Sequence, residues 1–323
     1  MSAPTPGPAA EAVPTRRVLL VVNTRRGTAR AVALQFCEAL TGHGLEVRVL
    51  ADDAEELGIG GERGLEIVPP DPAAAVGCEL AVVIGGDGTI LRGAELARDA
   101  GTPLLGINLG HVGFLAEADP EDVEHTIRAI AAGSYGIDDR LTVDVSVFQG
   151  KQLVASTWAL NEASVEKAAR ERMLELVVEI DGRPLSRWGC DGVVCSTPTG
   201  STAYNFSAGG PIVWPEVQAL LITPISAHAL FARPMVVAPT SVLAIEVIED
   251  NDEAGVLWCD GRRTVDLPPG ARIEVRRGHA PIRLARLHEA PFTDRLVAKF
   301  ELPVAGWRGA AAQRRRRAEN DDA

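Results

Sequence analysis

From Arg17 to Gly133 short β-branched runs alternate with stretches of helical period, and from about Asp138 onward the helical stretches stop. Such alternation requires strand–helix–strand units on a parallel sheet, because a parallel partner strand is reached only by a crossover long enough to hold a helix. Residues 18–22 read as the opening strand. Val32, Phe36 and Leu40 then recur at four-residue spacing and give one apolar helix face, broken at Gly42 and Gly44. Residues 47–50, 80–84 and 103–108 are the next strands. Ile90, Leu91, Ala94 and Leu96 carry a helix to about Ala100. Val123, Ile127 and Ile130 line another, with Asp119 as its cap, Pro120 at its first position and Gly133 past its end.

The later half is written differently. Residues 143–148 run into Gln149-Gly150, 176–180 into Asp181-Gly182, and 256–259 into Asp260-Gly261, which is the pattern of short antiparallel strands closed by tight turns. Residues 242–248 and 273–275 continue it, so an α/β domain is followed by a mainly-β one. The expected boundaries are a lead-in at 1–15, the α/β domain at 16–138, the mainly-β domain at 139–287 and a polar tail at 309–323.

Composition removes several classes of function. The chain of 323 residues is 46% apolar and 24% charged, enough for two packed cores. No apolar run approaches the roughly 18 residues of a membrane span, so no membrane partner is expected. Residues 1–15 are rich in Pro and Ala and lack a basic start with an apolar run behind it, so the expected address is the cytoplasm. The net charge of −12, from 44 acidic and 32 basic residues, argues against a nucleic-acid partner. The basic run at 314–317 sits in a tail that turns acidic. Five scattered cysteines without CxxC spacing read as reduced, buried thiols, and six histidines form no HExxH pair.

Two segments carry the chemistry. The first is Gly85-Gly86-Asp87-Gly88-Thr89, between a buried strand and a helix. There the backbone N–H groups of a glycine turn and the helix N-terminus can face phosphate, with Gly85, Gly86 and Thr89 as the phosphate loop. It is neither a Walker A motif nor GxGxxG, and the carboxylate of Asp87 among phosphates needs a task, either proton acceptor or Mg²⁺ holder. A tight turn with a solvated Asp87 is the other reading. The second segment runs from Asp191 to Pro211 and is dense in hydroxyls and glycines, with Tyr204 as its one tyrosine; this is a composition that can wrap a nucleotide. Asn161-Glu162 at a strand end can clamp a ribose diol. Residues 106–114, spaced by glycines, follow another parallel strand and should line the same crevice as Asp87, with Phe114 either on a base or in the core.

Together GGDGT at 85–89, GINLGHVGFLAE at 106–117, NE at 161–162, DGVVCSTPTGSTAYNFSAGGPI at 191–212 and AHALFARPMVV at 227–237 resemble the NAD kinases of bacterial type, ATP- or polyphosphate-dependent. The GGDG block alone is shared with diacylglycerol and sphingosine kinases, which would not be expected to carry TPTGSTAY or the NE pair. The resemblance implies a Rossmann-like N-terminal domain, a β-sandwich-like C-terminal one, return of about 288–308 to the first domain, and a homodimer or homotetramer. It also implies transfer of a phosphoryl group from ATP or polyphosphate to the 2′-hydroxyl of the adenosine ribose of NAD, with a divalent cation, Mg²⁺, whose ligands stay unassigned. Asp87 matches the family's catalytic aspartate, Gly88 and Arg92 its NAD contacts, and Asn161 and Glu162 the ribose-side pair. Asp191 matches a base-side contact, and Thr202, Ala203, Tyr204 and Ser207 the loop around the adenosine. Two departures stand out: Ala227 where a proline is common, and Asn205-Phe206 after the tyrosine in place of a small pair.

Overall fold

Arg17–Val22 forms strand β1, and five of its six residues are buried, which only a central strand covered on both faces allows. The structure, a computed structural model, describes residues 15–110, 113–116, 123–169, 172–249, 254–288 and 291–304. The expected cap at Asp119-Pro120, residues 1–14 of the lead-in and the tail at 309–323 lie outside these residues. Helix α1 (Gly27–Gly42) leads to β2 (Glu46–Leu50), α2 (Ala51–Leu57) to β3 (Leu65–Val68), and β4 (Leu80–Ile84) through α3 (Asp87–Ala97) to β5 (Leu104–Ile107). Helix α4 (Val123–Ala132) and β6 (Gly136–Arg140) complete this part. Alternate residues of β1 go to opposite faces: Val18, Leu20 and Val22 join the core beneath α1 and α4, Leu19 and Val21 the core beneath α3.

The chain then builds β7 (Val143–Gln149), β8 (Gln152–Ala159), β9 (Glu162–Lys167), β10 (Leu174–Ile180), β11 (Arg183–Cys190) and β12 (Gly192–Ser196). A short helix, α5 (Tyr204–Ser207), precedes β13 (Leu220–Ile225), β14 (Met235–Val237), β15 (Leu243–Val247), β16 (Gly255–Cys259), β17 (Arg263–Leu267) and β18 (Ala271–Arg277). Two six-stranded sheets result, ordered β11-β10-β15-β18-β7-β8 and β14-β13-β12-β9-β16-β17. Their inner faces share one core, with Val145, Leu176 and Ile273 from one sheet and Val165, Ile222 and Leu257 from the other, so this half is a β-sandwich. The Asp-Gly turns are as expected: Asp181 and Gly182 have φ of 52° and 73°, Asp260 and Gly261 of 54° and 62°, the left-handed pair that a two-residue hairpin turn needs. All five cysteines are buried and unpaired, and burial pushes the Cys195 thiol up to about 12.

The boundary expected at 138 falls inside β6, and the one at 287 falls after β19 (Ile282–Arg286). These two strands pair antiparallel to each other, and β19 lies parallel beside β5, giving the first sheet the order β3-β2-β1-β4-β5-β19-β6. The late chain therefore re-enters the first sheet as a strand, before the final helix α6 (Phe292–Phe300). Strand β6 is the edge, where Gly136 and Ile137 are exposed, so no alternation marks it in the sequence. The order of that sheet positions the site. The chain steps outward from β1 to β2 and β3, then returns to place β4 on the other side of β1. Loops leaving the carboxyl ends of β1 and β4 diverge and open a crevice between them.

Trp188 is the largest fully buried side chain, and its Nε1 donates to the Phe231 carbonyl at 3.0 Å. Trp188→Ala should cost about 3–5 kcal/mol of stability, read as a lowered urea midpoint for unfolding of the sandwich. An unchanged midpoint would show that this core tolerates the void.

Candidate active site

The β1 loop, residues 23–26, and the β4 loop, residues 85–89, face each other across that crevice. Residues 23–26 and, from the second loop, Gly86, Gly88 and Thr89 line a polar cleft of about 670 Å³ with Asp52, Asp53 and Glu56 of α2, Arg92 of α3 and Arg262. Arg25 and Arg26 are exposed at its rim. A Cβ at Gly86 or Gly88 would meet nothing within 4 Å, so the backbone there is open to the cleft and the packing of the fold does not require glycine. Asp53 is buried, accepts the Val22 N–H at 2.9 Å and pairs with Arg92 at 2.9 Å. Burial still pushes its carboxyl above the ordinary value against those two partners. Arg92 is thus turned to the cleft beside Gly88 and Thr89.

Asp87 opens α3, where a carboxylate is favoured by the positive end of the helix. Its two oxygens face the amides of the loop after β5: Oδ2 accepts from Phe114 N–H at 3.4 Å and Oδ1 from Leu115 N–H at 3.3 Å. A Cβ on Gly113 would fall 2.5 Å from Asp87 Oδ1, so this approach exists only because the residue is glycine. Phe114 therefore serves Asp87 with its backbone. Its ring is half-buried, packs on Phe292 and Phe300 of α6 at 5.9 Å from each, and lines a further hollow of about 410 Å³ with Phe292 and Arg295.

On the other side of α3 lies a hollow of about 420 Å³, lined by Leu91, Asn161, Glu162, Ser164, Glu166, Tyr204, Trp258, Asp260 and Gly261. Burial, reinforced by the charge of Asp260, pushes the Glu162 carboxyl up to about 8, while the Tyr204 amide works the other way. Glu162 Oε2 is buried without a hydrogen-bond partner. A neutral carboxyl there can donate one hydrogen bond and accept another, the complement of a sugar diol. Asp260 is the residue that sequence reading missed as more than a turn former. Its carboxyl is 2% exposed, accepts from the amides of Leu160 and Asn161 at 3.0 and 2.7 Å, and pairs with Arg263 at 2.7 Å. Burial raises it as well.

The TPTGSTAY segment follows β12 as a 3-10 turn, Thr199–Thr202, and then α5. A Cβ on Gly200 would lie 2.1 Å from the Asn161 carbonyl oxygen, so this glycine lets the loop sit directly on the NE turn. Of its expected contacts only Tyr204 lines the hollow; Thr202 and Ala203 are half-buried and Ser207 is exposed beside it. Asp191 immediately precedes β12, in an ion pair with Lys167 at 2.6 Å that lowers its carboxyl, and its charge acts on Tyr204. The two departures are structural. Asn205 is fully buried and pins the loop through Thr223 and the Pro211 carbonyl, Phe206 stacks on Phe300 at 4.8 Å, and Ala227 packs against the sandwich core. Among the described residues no group of three or more His, Cys, Asp and Glu could hold a metal ion, and no helix is long and apolar enough to cross a membrane.

Comparison with known proteins agrees with this geometry. The family described as ATP-NAD kinase C-terminal domain matches residues 160–287, and that described as ATP-NAD kinase N-terminal domain matches residues 65–135. The NAD kinase of Thermobifida fusca (strain YX) is 59% identical over 305 residues, spanning 93% of each chain. NAD kinase 2 of Streptomyces avermitilis is 58% identical over 295 residues, 91% of this chain and 97% of the relative. Among solved structures, yeast NADH kinase complexed with NADH superposes with a TM-score of 0.82 at 26% identity, covering 91% of this chain and 90% of that one. An NAD kinase from Archaeoglobus fulgidus in complex with ATP gives 0.67 at 25% identity, covering 89% and 100%. With both halves matched and relatives close over nine-tenths of its length, the chain belongs to the NAD kinase family and converts NAD to NADP by phosphorylation.

Proposed function

We propose that Asp87 is the proton acceptor of this reaction, taking the proton of the adenosine 2′-hydroxyl as that oxygen attacks the donor's terminal phosphorus. The observation that carries the reading is the place of Asp87: a half-buried carboxylate at the N-terminus of α3, the helix whose Gly88, Thr89 and Arg92 line the polar cleft and whose Leu91 lines a nucleoside-sized hollow. Transfer through a loose transition state asks the protein for alignment and charge stabilisation more than for covalent chemistry. Glu162 and Asn161 would hold the ribose, and Tyr204 the adenosine. Arg25, Arg26 and Arg92, with the open backbone at Gly86 and Gly88, would take the phosphates of ATP or polyphosphate.

The carboxylates of Asp52 and Glu56 that line the cleft fit a Mg²⁺ carried on those phosphates, since Mg²⁺ takes most of its ligands from phosphate and water and only one or two from protein. When bound, the ion would neutralise phosphate charge beside Asp87. The working form in this reading is a homodimer or homotetramer, for which Leu230, Phe231 and Val236, exposed on and before β14, supply an apolar face. Its place is the cytoplasm, in keeping with five unpaired, buried thiols.

Asp87→Asn should leave NAD affinity, measured by calorimetry, nearly unchanged and lower turnover roughly 10²- to 10⁴-fold. Full turnover in that variant removes Asp87 from the role. A second outcome concerns pH. The Glu162 carboxyl sits near 8 in the folded chain and at its ordinary value when unfolded, so between those points folding takes up a proton and stability falls as pH rises. Glu162→Gln should therefore flatten the decline of the urea midpoint between pH 5 and pH 9 and gain on the wild type toward the alkaline end. Parallel curves for the two proteins would show that Glu162 is ionised in the fold.

A further inference from the structure

Helix α6 comes late in the chain, yet it touches both loops of the site. Phe300 packs on Phe114 and on Phe206, and Phe292 packs on Phe114 and, at 5.3 Å, on Trp214. Phe114 belongs to the loop that hydrogen-bonds Asp87, and Phe206 to the helix that begins with Tyr204. Between the two phenylalanines, Arg295 Nη1 donates to the carbonyl oxygens of Phe114 and Ala116, at 3.3 and 2.6 Å. The Phe114 carbonyl and the Leu115 N–H are opposite ends of one peptide unit. Arg295 holds the oxygen end, and the hydrogen end faces Asp87 Oδ1 at 3.3 Å.

We propose that Arg295 is a positioning residue for phosphoryl transfer, acting on the Asp87 carboxylate through the peptide between Phe114 and Leu115. A cation at the carbonyl polarises that peptide and strengthens its N–H as a donor, because linked hydrogen bonds reinforce one another. It also fixes the loop sideways. Gly113 gives the loop its close approach to Asp87 but, having no side chain, nothing to hold it there. The aromatic contacts of α6 press the loop against the helix without choosing the rotation of the peptide planes; a guanidinium on two carbonyls, at residues 114 and 116, chooses it. The oxygen that accepts the proton is thereby aimed from the far end of the sequence. The proposal rests on the reading of Asp87 as proton acceptor.

The test uses the full chain with Arg295→Met and Arg295→Lys, each alone and combined with Asp87→Asn. The turnover number is expressed per NAD site titrated by calorimetry, so that any unfolded fraction drops out. Arg295→Met should lower kcat roughly 10- to 100-fold with KM for NAD within about twofold, the cost of a carboxylate displaced by a fraction of an ångström. Arg295→Lys should recover most of that loss, since one charged donor still reaches the Ala116 carbonyl. On the Asp87→Asn background Arg295→Met should cost less than about twofold, because the group it aims is already gone. Unchanged kcat in Arg295→Met, a loss carried by KM, or the full cost persisting on the Asp87→Asn background would overturn the proposal. Full turnover in Asp87→Asn alone overturns the proton-acceptor reading, and the proposal with it.

Discussion

One guanidinium ties the two halves of the molecule at the site. Arg263, the first residue of β17, pairs with Asp260 at 2.7 Å, lies 3.2 Å from Glu95 of α3 and stacks 4.4 Å from the Trp158 ring. Its Nε is not aligned for a hydrogen bond to Glu95, so that contact is ionic. The same indole carries Arg98, which follows α3 and pairs with Asp144 of β7 at 2.6 Å. Ion pairs in water contribute little, but Asp260 and Arg98 are 2% and 5% exposed, and a charge so stripped of water must be matched where it stands. Losing the partner of a buried charge costs about 3–5 kcal/mol, several times what a surface pair contributes. The position of the sandwich relative to α3 is set by that demand, and with it the distance between the hollow and Asp87.

The same demand explains the buried pair Glu162 and Asp260. Two carboxyls side by side cannot both ionise cheaply, and their surroundings push them apart in role. Asp260 has two amide donors and Arg263; Glu162 has one amide and an oxygen without a partner. Asp260 is therefore the one in structural service, although burial raises its carboxyl too. Its bonds to the amides of Leu160 and Asn161 fix the turn on which the NE pair stands. Glu162 is left neutral over a wide pH range, able to trade hydrogen bonds with a hydroxyl. Asp87, half-buried at a helix N-terminus with two amide donors, sits in a different environment again.

Much of this was legible in the residues. The GGDG turn, the NE pair and the TPTGSTAY loop announce themselves because their chemistry is local: glycines where backbone must be approached, hydroxyls and amides in short runs. Alternation gave β1, β4 and β5, and the Asp-Gly dipeptides gave two hairpin turns. What was hidden depends on partners distant in sequence. The pairing of β6 with β19 joins residues about 145 apart, and β6, at the exposed edge, carries no period that constrains its side chains. Helix α2 and strand β3 are too short to show a period at all. Asp260 reads as a turn former because its second task, holding the NE amides, is invisible without the fold. Arg92 reads as a contact of NAD, and its pair with Asp53, which sets its place in the cleft, is invisible in the sequence. Phe114 is exposed to the same limit: the sequence shows an aromatic in a glycine loop, and only the return of α6 says which way the ring goes.

The arrangement of the two chambers follows from this geometry. Neighbouring residues of α3 face opposite ways, Leu91 into the hollow and Arg92 into the cleft, one turn after Asp87. The β16–β17 turn divides in the same manner, with Asp260 and Gly261 toward the hollow and Arg262 toward the cleft. Donor and acceptor would therefore lie on either side of one wall made of a helix and a hairpin turn, joined by the ion pairs of Glu95 with Arg262 and Arg263. The wall ends where the helix begins and its side chains give way to glycine. That end is Gly86-Asp87-Gly88. In the proposed reading a phosphoryl group and a hydroxyl would meet in line there, beside the carboxylate proposed to take the proton.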